Sequence, residues 1–263
     1  MALTSGIDTA AKITATVAQK AKDAGQAFIG RYLVPETYSK ALNATEAKVI
    51  HDAGLGILLC WELTSNRAKQ GESAGTADGK TARQLATQMK IPYSAAIYFA
   101  VDYNATKSDY NAIEAYIRAA ATAVSPYQCG VYGHYAICEE MYLRGATTNL
   151  WQCCAWSGKL ISPHAYLYQR QWSGGTESRA VAAKIGVAVD MNTCGNMEAA
   201  HIWMPGTESH WYDEAMTWAK DNGINDGTRP EDAATRAEVA QMLHNLVESR
   251  MFDKRYSGLL EDE

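Results

Sequence analysis

The run "AAIYFAVDYN" at residues 95–104 closes an apolar and aromatic stretch on one carboxylate, Asp102, with an amide, Asn104, two places later. Three other acids follow apolar runs in the same way: Asp8 after "SGI", Glu62 after "ILLCW" and Asp190 after "GVAV". Apolar surroundings favour the protonated form of a carboxyl, and hydrogen-bond donors or cations favour the ionised one. A pair of carboxyls in those two states is the equipment for cutting a glycosidic bond. One protonates the leaving oxygen, and the other supports the oxocarbenium-like centre or orients the attacking group. Each acid taken singly also fits an N-cap for the next helix, Asp8 before "TAAKI" most of all. Four together are harder to explain as caps, because clustered carboxylates repel and raise one another's proton affinity.

The elements that must position these acids alternate. After "SGID" comes a helix with Ile13, Val17 and Ala21 on one face, ending at "DAG". A strand at 27–33, a helix at 45–53 with a second "DAG", and a strand at 55–62 follow, each Gly standing where a helix terminates. Further on are a helix at 78–90, a strand at 95–102 and a helix at 107–124 that places Ile113, Ile117, Ala120 and Val124 together. A strand at 128–133, a helix at 135–144 and strands at 150–157, 165–172 and 185–192 complete the series. Near-continuous apolar strands separated by helices predict a parallel sheet buried on both faces. Eight strands in about 200 residues predict an α/β fold, a closed (β/α)8 TIM-like barrel with reduced C-terminal helices over residues 1–200. An open doubly wound sheet is the rival. In the barrel, strands 1, 3, 4 and 8 lie on one side, so their acids converge on the face formed by the carboxyl ends.

Composition sets the outer bounds. With 263 residues, a net charge of −5 and 20% charged residues, the chain offers no basic surface for nucleic acid or anionic membrane. The start "MALTSGIDTAAKI" lacks the basic and apolar blocks of a signal peptide, which predicts synthesis in the cytoplasm. No run approaches the ~20 apolar residues of a membrane-spanning helix. The 6 Cys are scattered without C-x-x-C spacing and read as free, mostly buried thiols. The 6 His show no paired metal-ligand spacing, so neither a metal nor another cofactor is expected. The segment "NRAKQGESAGTADGK" has glycines but no Walker ending and reads as a mobile loop over the cleft. Cys129 with His134 has no helix N-terminus to activate the thiol, and no serine sits in a G-x-S-x-G elbow.

The segments "GIDTA", "FIGRYL", "IYFAVDY", "GVYG", "WQCCAWS", "YLYQ" and "VDMN" together resemble the glycoside-hydrolase-like barrel of phage lysins and some secreted bacterial proteins. That domain is similar to the family-25 lysozymes, which are muramidases, and the likeness spans residues 3–195. It implies an acid after strand 1, a D-x-E pair ending strand 4 and an Asp ending strand 8. Asp8, Asp102 and Asp190 match; Asn104 stands where the family has its Glu. Glu62, following a Trp and an apolar run, is the replacement proton donor on this reading, with Asp102 ionised and Asp8 and Asp190 tuning the pair. In an alternative register Asp102 itself takes the missing acid's place. Tyr32, Tyr132, Trp151, Gln152, Trp156 and Gln169 lie at or near other strand ends and are candidates to line a sugar-binding groove, with core packing the competing reading of each.

The texture changes after residue 200. Residues 201–209 read as a linker and 210–263 as a small all-α module, with Trp211, Ala215, Trp218 and Ala219 on one helix and Val239, Met242, Leu243, Leu246 and Val247 on the buried side of the next. Trp211, "GINDG" and "TRAE" resemble a single S-layer homology repeat. By that resemblance Arg236 binds acidic secondary cell-wall polysaccharide, with Trp211 as a possible sugar partner. Thr235 and Glu238 also make a plain capping box. Such repeats act in threes, so a lone one implies self-association or weak anchoring. The expectation as a whole is a phage-type endolysin acting on peptidoglycan glycan strands after release from the host cytoplasm. A wall-binding barrel without catalysis and a hydrolase of another polysaccharide are the alternatives.

Overall fold

The computed structural model describes residues 3–207, 213–225 and 235–248. The chain divides into two compact units, residues 1–208 and 209–263. The first is a closed barrel in which eight strands follow one another in chain order: β1 (Thr4–Asp8), β2 (Phe28–Tyr32), β3 (Gly56–Trp61), β4 (Ala96–Ala100), β5 (Gln128–Gly133), β6 (Asn149–Cys153), β7 (Leu167–Gln171) and β8 (Asp190–Cys194). Six helices intervene: α1 (Ala15–Asp23), α2 (Ala44–Asp52), α3 (Gly71–Gln88), α4 (Tyr110–Val124), α5 (Tyr135–Leu143) and α6 (Thr176–Ile185). None lies between β6 and β7, in keeping with the reduced last third.

Strand alternation explains the apolar runs. Phe28, Leu58, Tyr98, Tyr132, Trp151 and Leu167 fill the inside of the barrel, while Ile29, Ile57, Leu59, Ile97, Phe99 and Val131 form a second core with the helices. In β2, β3 and β4 both faces are therefore dry, and polar alternation has no place to appear. The helix boundaries follow local chemistry. Thr14 Oγ accepts the Val17 N–H at the start of α1, and Asn43 Oδ1 accepts the Glu46 N–H at the start of α2. The two "DAG" sites end these helices with Gly25 and Gly54 at φ 81° and 71°.

Two expectations are corrected. The glycine-rich stretch expected to be a mobile loop is largely the N-terminal half of α3. Gly75 and Gly79, one turn apart, lie against α4 so closely that a Cβ would come within 2.1 Å of Tyr116 O and 2.7 Å of Ala120 O. The glycines serve close helix packing. The last strand is also different: β8 pairs antiparallel with both β7 and β1. Gly186, at φ 93°, ends α6, and residues 187–189 lead into a strand that runs the opposite way.

In the second unit, α7 (Asp213–Asp221) is followed by Gly223 at φ 68°, and α8 (Arg236–Glu248) starts at the capping box. Thr235 N–H donates to Glu238 Oε2 at 2.8 Å, and Glu238 N–H donates to Thr235 Oγ1 at 3.2 Å. Asn245 ties α8 to the end of α7 by donating to the carbonyls of Gly223 and Ile224, both at 3.2 Å. Val239 and Leu243, expected on the buried side of α8, are 44% and 58% exposed; Trp218 is exposed as well. Two short helices make too little core to cover a whole apolar stripe. Trp211 and the side chains of Leu246 and Val247 lie outside the described residues.

Candidate active site

All four acids line one cup of about 160 Å³ at a single rim of the barrel, together with Tyr32, Cys60, Ala100, Tyr132, Trp151, Ala155, Gln169 and Trp172. Asp8, Glu62 and Asp102 stand at or just beyond the carboxyl ends of β1, β3 and β4. Asp190 opens β8 instead of closing it, and reaches the same rim because that strand is reversed. Larger hollows of about 720 and 420 Å³ lie on the α3–α4 surface and beside α2, away from these acids.

Asp8 is the most enclosed of the four, 7% exposed. A Cβ at Gly30 would come within 2.5 Å of Asp8 Cβ, so only glycine on the neighbouring strand leaves this carboxyl its place. Asp8 Oδ2 accepts Asn192 Nδ2 at 2.6 Å and Gln169 Nε2 at 3.0 Å. The same Gln169 nitrogen donates to Asp190 Oδ2 at 3.0 Å. Each amide is held in turn: Tyr132 OH donates to Gln169 Oε1 at 3.0 Å, and Trp151 Nε1 donates to Asn192 Oδ1 at 2.9 Å. These bonds fix which way both amides point.

Burial, and then the charge of Asp190, push Asp8 up to about 7, against the opposing pull of the Gln169 and Asn192 amides. Asp190 is raised by burial, opposed by the Ser173 backbone N–H. Asp102 is raised by burial and by Glu62 and Asp8, while Lys40 pulls it down. Glu62 is paired to Lys40, whose Nζ lies 2.5 Å from Glu62 Oε2 and 4.1 Å from the centre of the Tyr32 ring. Glu62, the expected proton donor, thus has a cation for a partner, whereas it is Asp8 that burial raises to about 7. The Trp61 indole is buried in the outer core and is not part of the cup lining.

Lys40 is itself placed by Arg31, which is fully buried. Arg31 donates to Glu46 Oε1 at 2.8 Å, to Lys40 O at 3.1 Å and to Thr9 O, tying the loops after β1 and β2 to α2. Among the groove candidates, Tyr32, Tyr132, Trp151 and Gln169 reach the cup. Gln152 does not: it is buried, donating to Leu160 O and accepting Ser162 N–H, both at 2.7 Å, and so braces the loop after β6. Trp156 is exposed at φ 53° and is not part of the cup lining. Asn104 is exposed beyond the end of β4.

Lys40, Asn192 and Trp172 were not among the expected site residues. Asn192 had a signal, since it lies two places after Asp190 and so shares its face of β8. Trp172 had one as well, as the aromatic closing the strand expected at 165–172; Lys40 had none. Cys60 also lines the cup, but burial and Glu62 raise its thiol well above the usual range, which suits packing and not nucleophilic attack. Cys129 is pushed up to about 12 by burial alone. Among the described residues, no three carboxylate, thiol or imidazole groups are placed to share a metal ion.

A closed eight-stranded barrel with paired carboxylates at one rim defines a glycoside-hydrolase-like domain. The chain belongs to the Rv2525c-like, glycoside hydrolase-like domain family, which it matches over residues 19–251. It is 32% identical over 162 residues to the uncharacterized protein YbfG of Bacillus subtilis, an alignment covering 54% of this chain and 22% of that one. It is 27% identical over 158 residues, 58% of this chain and 63% of the other, to the Mycobacterium tuberculosis protein named "Putative peptidoglycan hydrolase Rv2525c". The chain thus spans less than two thirds of either relative's length. The crystal structure of Tat-secreted Rv2525c with L-tartrate shares the fold at a TM-score of 0.67 and 24% identity, over 77% of this chain and 100% of that one. An uncharacterized B. stearothermophilus protein shares it at 0.56 and 18% identity, over 76% of this chain and 100% of that one.

Proposed function

We propose that the barrel hydrolyses glycosidic bonds in the glycan strands of bacterial peptidoglycan, as a muramidase of endolysin type, with Asp8 as the proton donor. The observation that carries this reading is a carboxyl held near neutrality beside the open carboxylate of Asp102 in one small cup. Asp8 Oδ2 is committed to two amide donors, which leaves Oδ1 to carry the proton. In the reaction that proton passes to the leaving oxygen as the bond from C1 breaks. Asp102 then orients water, or the substrate's own 2-acetamido oxygen, toward the electron-poor carbon. Asp190 and Gln169 set the proton affinity of Asp8, and Lys40 keeps Glu62 in place beside Asp102. Kinship with Rv2525c supports the cell-wall glycan as the substrate.

The module at 210–263 is assigned a wall-anchoring role of S-layer homology type. Exposed Arg236, in the first turn of α8, would meet acidic secondary polysaccharide, and the single repeat would self-associate. Arg236→Ala should then reduce sedimentation of the full chain with intact walls, and not with walls stripped of that polysaccharide.

A second reading, a glycan-binding barrel without turnover, draws on the Lys40–Glu62 pair, which neutralises one acid of the cup. Incubation with peptidoglycan separates the two. New reducing ends without new free amines support the glycosidase. Free amines alone would refute it, and binding with neither product would favour the second reading.

A further inference from the structure

We propose that Trp172 is the stacking face of a sugar subsite at the mouth of the acidic cup, held in place by Gly174. Trp172 follows the last residue of β7 and lines the cup, yet it is 61% exposed. A core role does not account for an indole that open. Its other side is occupied: a Cβ at Gly174 would lie 1.7 Å from Trp172 Cζ3 and 2.0 Å from Cη2. The six-membered ring therefore rests on the Gly174 backbone, where a Cβ would displace it. Gly174 is not in the left-handed region, so glycine is needed there for space and not for backbone angle.

The turn that carries the indole is fixed on both sides. Gly175 N–H donates to Trp172 O at 2.9 Å, and Ser178 N–H donates to Gln171 Oε1 at 2.8 Å. The indole is thus held as a flat apolar face at the rim of the cup. A pyranose with equatorial substituents has a C–H face that lies on an aromatic ring, and a hydroxyl rim that meets carboxylates. The ligand class is an equatorially linked glucosamine-type glycan. Tyr38, Trp156, Tyr166 and Trp218 are also exposed, but none of them lines the cup, which singles out Trp172 among the exposed aromatics of the described residues.

The identity of the sugar rests on the proposed function, so the test reads binding apart from turnover. Full-length Asp8→Asn protein, which on that reading cannot turn over, is titrated calorimetrically with a β-1,4-linked N-acetylglucosamine tetramer. Trp172→Ala in this background should bind roughly tenfold more weakly, as the loss of one aromatic stack implies. Gly174→Ala should show a similar loss, because its Cβ takes the space under the ring, and Trp172→Tyr should retain most of the affinity. Equal affinity in all four proteins would overturn the inference, as would no binding by the Asp8→Asn parent up to millimolar tetramer. Tetramer affinity that follows Trp172, in a protein whose wild type releases no reducing ends, would uphold the subsite and remove only the hydrolase reading.

Discussion

Asp8 and Asp190 stand opposite each other in the antiparallel β1–β8 pair, and both accept a hydrogen bond from one nitrogen, Gln169 Nε2, at 3.0 Å. That nitrogen has two hydrogens and gives one to each carboxyl. Two enclosed carboxylates so placed resist carrying two full charges, and burial makes Asp8 the one that keeps its proton. The reversal of β8 is what makes the arrangement possible. In an all-parallel barrel, the residue opening the last strand would lie at the far rim.

Asp8 has its affinity raised from 3.8 to about 7, so the folded protein holds a proton that the unfolded chain releases. Stability from this group is therefore greatest below pH 4 and declines as pH rises through 7. Asp8→Asn keeps an oxygen for both amide donors and carries no charge. It should melt above wild type at pH 8 and show no such gain at pH 4, as thermal scans across that range would reveal. A variant less stable than wild type at pH 8 would contradict the burial argument.

Lys40 is the cation that opposes the raising of Asp102. Lys40→Met should move the acidic limb of the pH–rate profile to higher pH, because Asp102 must be ionised and loses the charge that favours that form. A profile that shifts toward lower pH, or not at all, would separate Lys40 from the chemistry.

Gly75→Ala should destabilise the barrel by about 1–3 kcal/mol, since overpacking a close contact forces backbone to move. The obstacle is the Tyr116 carbonyl of α4, and not the end of a flexible side chain. Urea unfolding measures the effect; an unchanged midpoint would mean that α3 and α4 are not packed as described.

Arg31→Met should destabilise the barrel, by less than the about 3–5 kcal/mol of a buried charge left wholly unpaired, because Lys12 Nζ still lies 3.4 Å from Glu46 Oε2. Arg31→Met/Glu46→Gln should recover part of the loss in the same unfolding assay.

Much of this was legible in the residues. The eight strands, the two "DAG" helix ends and the convergence of Asp8, Glu62 and Asp102 follow from periodicity and from acids that close apolar runs. The direction of β8 was not legible, because an apolar run reads the same for either orientation. "IGVAVDMN" placed Asp190 at the correct rim only because a misplaced strand boundary and an unforeseen reversal offset each other. The glycines at 71, 75 and 79 looked like a loop because glycine disfavours helix locally; tertiary contact with α4 overrides that preference. The cation beside Glu62 was not legible either, because Lys40 lies 22 residues before it and meets it only in the fold.

The central claim is that Asp8 delivers the proton. Its direct test is the pH dependence of reducing-end release from peptidoglycan by the wild type and by Asp8→Asn, with folding of both checked by melting temperature. The account predicts wild-type activity that falls as pH rises past about 7 and a folded Asp8→Asn protein with no release at any pH. A folded Asp8→Asn protein that still releases reducing ends at the wild-type rate would contradict it.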